Sequence, residues 1–262
     1  MYLAVMYVAA VVASLGPVVA VAWVAWRLRP RAVANAWASG LGGVAAGAGL
    51  MGVAFVLKQV VLILGLAKAL ALTDTPAPSD MIRTAALAGL LAGVAEEVVR
   101  FGAGAALFRR TSGAAPLLAG ALFALGWGGI ESAVLLLRAL PGATMMAADP
   151  SVHLPGWLPL FALVERVGAI FLHLALTTAA VRASSELRVG RAGVAAALFL
   201  GAVLLHAAID AAVHGLYLLT TPLIDAMEWG SVAARLVPLE GGFVLVTALL
   251  LWRASKIPPT RV

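Results

Sequence analysis

The sequence predicts an all-α polytopic membrane protein of about seven transmembrane helices, N-terminus outside and C-terminus inside, with central helices enclosing a polar intramembrane cavity. Three observations predict it. The 262-residue chain is 63% hydrophobic and 11% charged, whereas a soluble domain carries about 25% charged residues. Its apolar residues fall in runs near the roughly 20 residues that a helix needs to cross a bilayer. Its arginines collect in alternate connections between those runs.

The runs place spans at about 2–26, 38–67, 83–108, 114–140, 156–181, 192–219 and 233–253. The first has no basic residue ahead of it and meets Arg27, Arg29 and Arg31 only beyond Trp26. It therefore reads as a span rather than as a signal peptide. The second is long enough to tilt or break, and "GLGGVAAGAGLMG" gives it a small-residue face for close helix packing. The third to sixth carry "GVAEEVVR", "GWGGIE", "ERVGAIFLHLALT" and "HAAID".

Loop charges set the orientation. Arg109 and Arg110 follow the third span, Arg182, Arg188 and Arg191 the fifth, and Arg253, Lys256 and Arg261 the seventh. The other loops hold Asp74, Asp80, Asp149, Asp225 and Glu228. Basic and acidic loops alternate only if the count is seven. The net charge of +6 is thus a topology signal and implies no nucleic-acid partner. The expected partner is the bilayer itself, in a prokaryotic plasma membrane, with residues 1–262 forming one transmembrane domain. With no cysteine in the chain, disulfides, thiolate metal sites and cysteine nucleophiles are excluded.

The remaining ionisable residues fall inside the spans. An Asp, Lys or Arg at a helix centre costs about 2.5–3.5 kcal/mol, against about 0.3–0.6 kcal/mol returned by each Leu or Val. Such groups must face one another or a water-filled cavity, and function is their default reading. Spacing puts several on shared faces: Glu96 with Arg100, Trp127 with Glu131, His173 with Thr177, and His206 with Asp210 are each i, i+4. At about 1.5 Å rise per residue, Glu96, Glu131 and His206 come out near the midplane.

In that order, "AEEVVR", "GWGGIE", an "ER" ahead of "HLALT", and "HAAID" resemble the YhfC-type family of intramembrane proteases. That family falls in the superfamily of CAAX prenyl endopeptidases, bacteriocin-processing proteins and PrsW proteases. The resemblance covers about residues 85–215 and implies a glutamic-type endopeptidase, with a catalytic core at about 83–219, acting on a membrane protein or peptide. It implies Glu96 as the glutamate that activates water, with Glu97 and Arg100 completing the motif. Glu131 stands where the CAAX enzymes have histidine and the PrsW group has glutamate. His206 and Asp210 match the later histidine and its Asn/Asp, and Trp127 replaces the usual phenylalanine.

The residue chemistry supports the same expectation. Glu96 can serve as general base and His206 with Asp210 as oxyanion donor, with Trp127, Glu165 and His173 lining the cavity. No cofactor is required on this reading. A Zn²⁺ mechanism is the alternative, and a metal would draw on Glu96, Glu131, His206 and Asp210. No HExxH motif is present.

Structural roles compete at several positions. Glu97–Arg100 can be an ion pair, Glu165 and Arg166 can pair across helices, and His214 can bridge helices. Lys58 can snorkel or reach the cavity. Two other functions stay open: a proton-coupled transporter using the Glu/His/Asp cluster as a relay, and a non-catalytic relative that binds membrane partners. The sequence carries no inverted repeat of the kind transporters show, and it leaves substrate and oligomeric state undetermined.

Overall fold

The computed structural model describes residues 44–58, 78–108, 115–148, 158–225 and 228–255. They form helices α1 (Val44–Lys58), α2 (Pro78–Phe108), α3 (Ala115–Ala148), α4 (Leu158–Arg188), α5 (Ala192–Asp225) and α6 (Trp229–Ser255). No strand occurs among the described residues. The span expected at 2–26 lies outside them, as do most of the loop charges used to orient the chain: Arg27, Arg29, Arg31, Asp74, Arg109, Arg110, Asp149, Lys256 and Arg261.

The described helices outrun the apolar stretches expected for them. α2 starts at Pro78 rather than 83, with proline in its first turn, where no intrahelical N–H is needed, and with Asp80 beside the positive end of the helix dipole. α3 runs on through Pro141-Gly142 to Ala148, where a loop was expected after 140. The helix-favouring "ATMMAA" that follows carries it. α4 continues past 181 to Arg188 and ends on a Schellman motif. There Arg191 N–H donates to Glu186 O (2.9 Å) and Gly190 N–H to Leu187 O (3.2 Å), with Gly190 at φ +77°. Bilayer thickness fixes how much of a helix must be apolar, not where the helix stops.

By internal packing the chain divides into two compact units. One comprises Met1–Met51, Ser112–Thr177 and Val244–Pro259, the other Gly52–Thr111, Thr178–Phe243 and Thr260–Val262. In the first, Gly47 on α1 lies against the backbone of Phe123 and Trp127 on α3, and Gly126 against that of Val44. Small residues thus let two backbones meet, as the glycine-rich second span led one to expect.

In the second unit, α2 and α5 run antiparallel along a ladder of small residues. Gly215 meets Ala85, Gly89 meets Ala207 and Ala211, and Gly93 meets Val203 and Ala207. A Cβ at Gly93 would lie 2.8 Å from Ala207 N and 2.9 Å from Val203 O, so only glycine permits this approach. The ladder ends in an edge-to-face pair, Phe101 on Phe199, with ring centroids 5.1 Å apart.

Two stretches, Val164–Arg188 and Ala192–Leu216, are long and apolar enough to cross a membrane. α2 distributes its residues in the reverse of a water-soluble helix. Ile82, Leu87, Leu90, Val94 and Val98 are exposed, while Glu96, Glu97 and Arg100 are fully buried among Ala85, Ala88, Ala92 and Ala95.

Candidate active site: a buried ring of carboxylates and cations

The small-residue ladder determines where the charged groups land. Glu97 is one turn beyond Gly93 on α2, and His206 precedes Ala207 on α5. The close approach of Gly93 to Ala207 therefore brings the carboxylates of α2 onto the imidazole of α5. His206 Nδ1 lies 2.7 Å from Glu97 Oε1, and Arg100 Nε donates to that same oxygen at 3.1 Å. With Nδ1 engaged by Glu97, His206 turns Nε2 toward Glu96 Oε2 (3.6 Å) and Asp210 Oδ1 (3.8 Å).

The far oxygens of those two carboxylates share one cation. Lys58 on α1 places Nζ 3.2 Å from Glu96 Oε1 and 3.4 Å from Asp210 Oδ2. Lys58, Glu96, His206 and Asp210 thus form a closed ring in which nitrogens and carboxylates alternate. Glu97 and Arg100 support it from the sealed side, where Arg100 Nη2 also lies 3.9 Å from Glu96 Oε2. Asp210 and Lys58 form the open side, their side chains 22% and 14% exposed against 0% for Glu96. Three carboxylates thus face two cations and an imidazole. Such groups are stable in a poorly solvated interior only when paired in this way.

Of the residues singled out in the sequence, Glu96, Glu97, Arg100, His206 and Asp210 come together in this unit. Their pairing differs from the spacing argument. Arg100 binds Glu97 more closely than its i, i+4 partner Glu96. Likewise, His206 is held by Glu97 across the helix pair rather than by Asp210 on its own helix. An i, i+4 interval places two groups on one face, but the neighbouring helix decides which of them touch.

Trp127, Glu131 and His173 come together in the first unit. His173 Nε2 hydrogen-bonds Glu131 Oε2. The buried Trp127 ring stands 6.4 Å, centroid to centroid, from the imidazole, and Gly128 makes room for the His173 ring. Among the described residues, Glu165 bonds its sequence neighbour Arg166. His214 is exposed on α5 instead of bridging helices. Two of the three arginines around the fifth connection, Arg182 and Arg191, flank the buried Glu186 at 3.8 and 3.3 Å. Glu186 makes this connection mixed in charge rather than purely basic.

Glu96, His206 and Asp210 also offer one nitrogen and two oxygens within 4.8 Å of one another, a spacing that can hold a metal ion. Of the two readings open for Lys58, the one that reaches the buried carboxylates holds. Sequence reasoning missed the Gly89/Gly93 pair that sets the helix approach, which was legible as "GLLAG", a small-xxx-small pair one turn ahead of the carboxylates. No family model, no curated protein and no solved structure matches the chain.

Proposed function

We propose that this chain is a multi-pass plasma-membrane protein of seven spans, N-out and C-in, working as an intramembrane endopeptidase of the YhfC type. The observation that carries the reading is the buried ring, in which fully buried Glu96 faces His206 Nε2 beneath an exterior of Leu and Val. A soluble protein gains nothing by burying three carboxylates, a lysine and an arginine together, and a bilayer makes such groups costlier still, so chemistry is the reason to keep them.

On this reading a water beside the Glu96–His206 edge gives its proton to Glu96 and attacks the scissile carbonyl. His206 Nε2–H donates to the developing oxyanion; as that oxyanion collapses the C–N bond breaks, and the proton held by Glu96 passes to the leaving amine. Glu97 and Arg100 fix the imidazole, and Asp210 holds the open side of the ring. Glu131, which the resemblance places among the catalytic residues, pairs with His173 beside Trp127 in the first unit.

The test is cleavage of a pool of labelled transmembrane peptides by the protein in liposomes, with and without a chelator. Cleavage should fall by about 10²–10⁴-fold in Glu96→Gln and be lost in His206→Ala. Absence of cleavage throughout, with proton flux that depends on Glu96, would replace this reading with the transporter.

A further inference from the structure

Lys58 has no part in the hydrolysis outlined above, yet it closes the ring. Each of the two carboxylates divides its oxygens in the same way: one faces His206 Nε2, the other the Lys58 ammonium, at 3.2 Å for Glu96 and 3.4 Å for Asp210. The imidazole is oriented as metal-binding histidines are, with Nδ1 held by a carboxylate and Nε2 directed at the oxygen donors. Glu96, His206 and Asp210 lie close enough together to share one ion. A metal there would sit about 2.0–2.2 Å from each donor, directly facing an ammonium that already bridges both carboxylates. The positive charge that this donor set calls for is supplied by the chain.

We propose that Lys58 is a positioning residue whose ammonium bridges Glu96 and Asp210 in the place of a divalent ion, holding both carboxylates toward His206 and keeping divalent metals out of the ring. The catalytic consequence rests on the assignment of Glu96 as the water-activating base; the exclusion of metal does not. Removing the ammonium leaves two carboxylates and an oriented imidazole with a positive charge missing, and a divalent ion takes its place. Arginine, which keeps the charge, keeps the ion out.

The experiment titrates the purified full chain in detergent with Co²⁺, read by its visible ligand-field absorption. The variants are wild type, Lys58→Met, Lys58→Gln, Lys58→Arg and the double variant Lys58→Met/His206→Ala, with thermal unfolding recorded for each. Wild type and Lys58→Arg should give no Co²⁺ band. Lys58→Met and Lys58→Gln should bind Co²⁺ at least about tenfold more tightly than wild type, on the scale of changes seen around metal sites, and the double variant should lose that band.

Equal Co²⁺ affinity in wild type and Lys58→Met would overturn the proposal, as would absence of a band in both uncharged variants when they melt like wild type. Peptide cleavage is measured alongside and should fall in Lys58→Met and recover in Lys58→Arg. Cleavage absent from every protein would sink the endopeptidase reading while the Co²⁺ result still decides the role of Lys58.

Discussion

The two compact units each bury a histidine against a carboxylate, and they do it differently. In the first, His173 and Glu131 form one pair beside the Trp127 ring. In the second, His206 belongs to a network of three carboxylates, a lysine and an arginine. Neither member of the His173–Glu131 pair is a permanently charged group. The larger network keeps Arg100 charged under all ordinary conditions, so its carboxylates have a fixed counter-charge to answer. The lesson concerns what each unit can tolerate. The network fails when one fixed charge is removed, whereas the pair loses a hydrogen bond.

Substitutions can break that contrast in graded steps. The largest structural effect is expected for Arg100→Met, which leaves Glu97 buried without its cation and should cost about 3–5 kcal/mol, read as a fall in unfolding temperature in detergent. Gly93→Val should come next, at about 1–3 kcal/mol for overpacking, because its side chain meets the backbone of Val203 and Ala207. Since that contact also sets the Glu97–His206 distance, cleavage should fall together with stability. His173→Ala removes one partner of the His173–Glu131 hydrogen bond and should cost about 1–3 kcal/mol, with a smaller loss of cleavage than Glu96→Gln. Arg191→Ala should be the mildest, about 0–1 kcal/mol, since its side chain is 61% exposed and Arg182 stays beside Glu186. If His173→Ala unfolds the protein more readily than Arg100→Met, the contrast between the two units is wrong.

Much of the site could be read from residue types and intervals. Charged groups in apolar runs are too costly to be incidental, so Glu96, Glu97, Arg100, His206 and Asp210 stood out before any packing was known. The pairing among them was not legible, because it depends on the depth at which α2 meets α5. That depth is set by Gly89 and Gly93, residues without chemistry of their own. Lys58 was ambiguous for a related reason: a lysine within an apolar run looks the same whether it snorkels to headgroups or reaches carboxylates. Helix existence followed from hydropathy, whereas helix ends followed from local features such as Pro78 at the start of α2 and Gly190 after α4, which a bilayer-length argument does not weigh.

The central claim is that Glu96 activates water inside the second unit, and the most direct measurement is the single-turnover cleavage rate of Glu96→Gln in liposomes, at wild-type unfolding temperature. The account predicts a loss of about 10²–10⁴-fold, with substrate binding preserved because the amide keeps the shape of the side chain and an acceptor oxygen for Lys58. A Glu96→Gln protein that cleaves at the wild-type rate would contradict it.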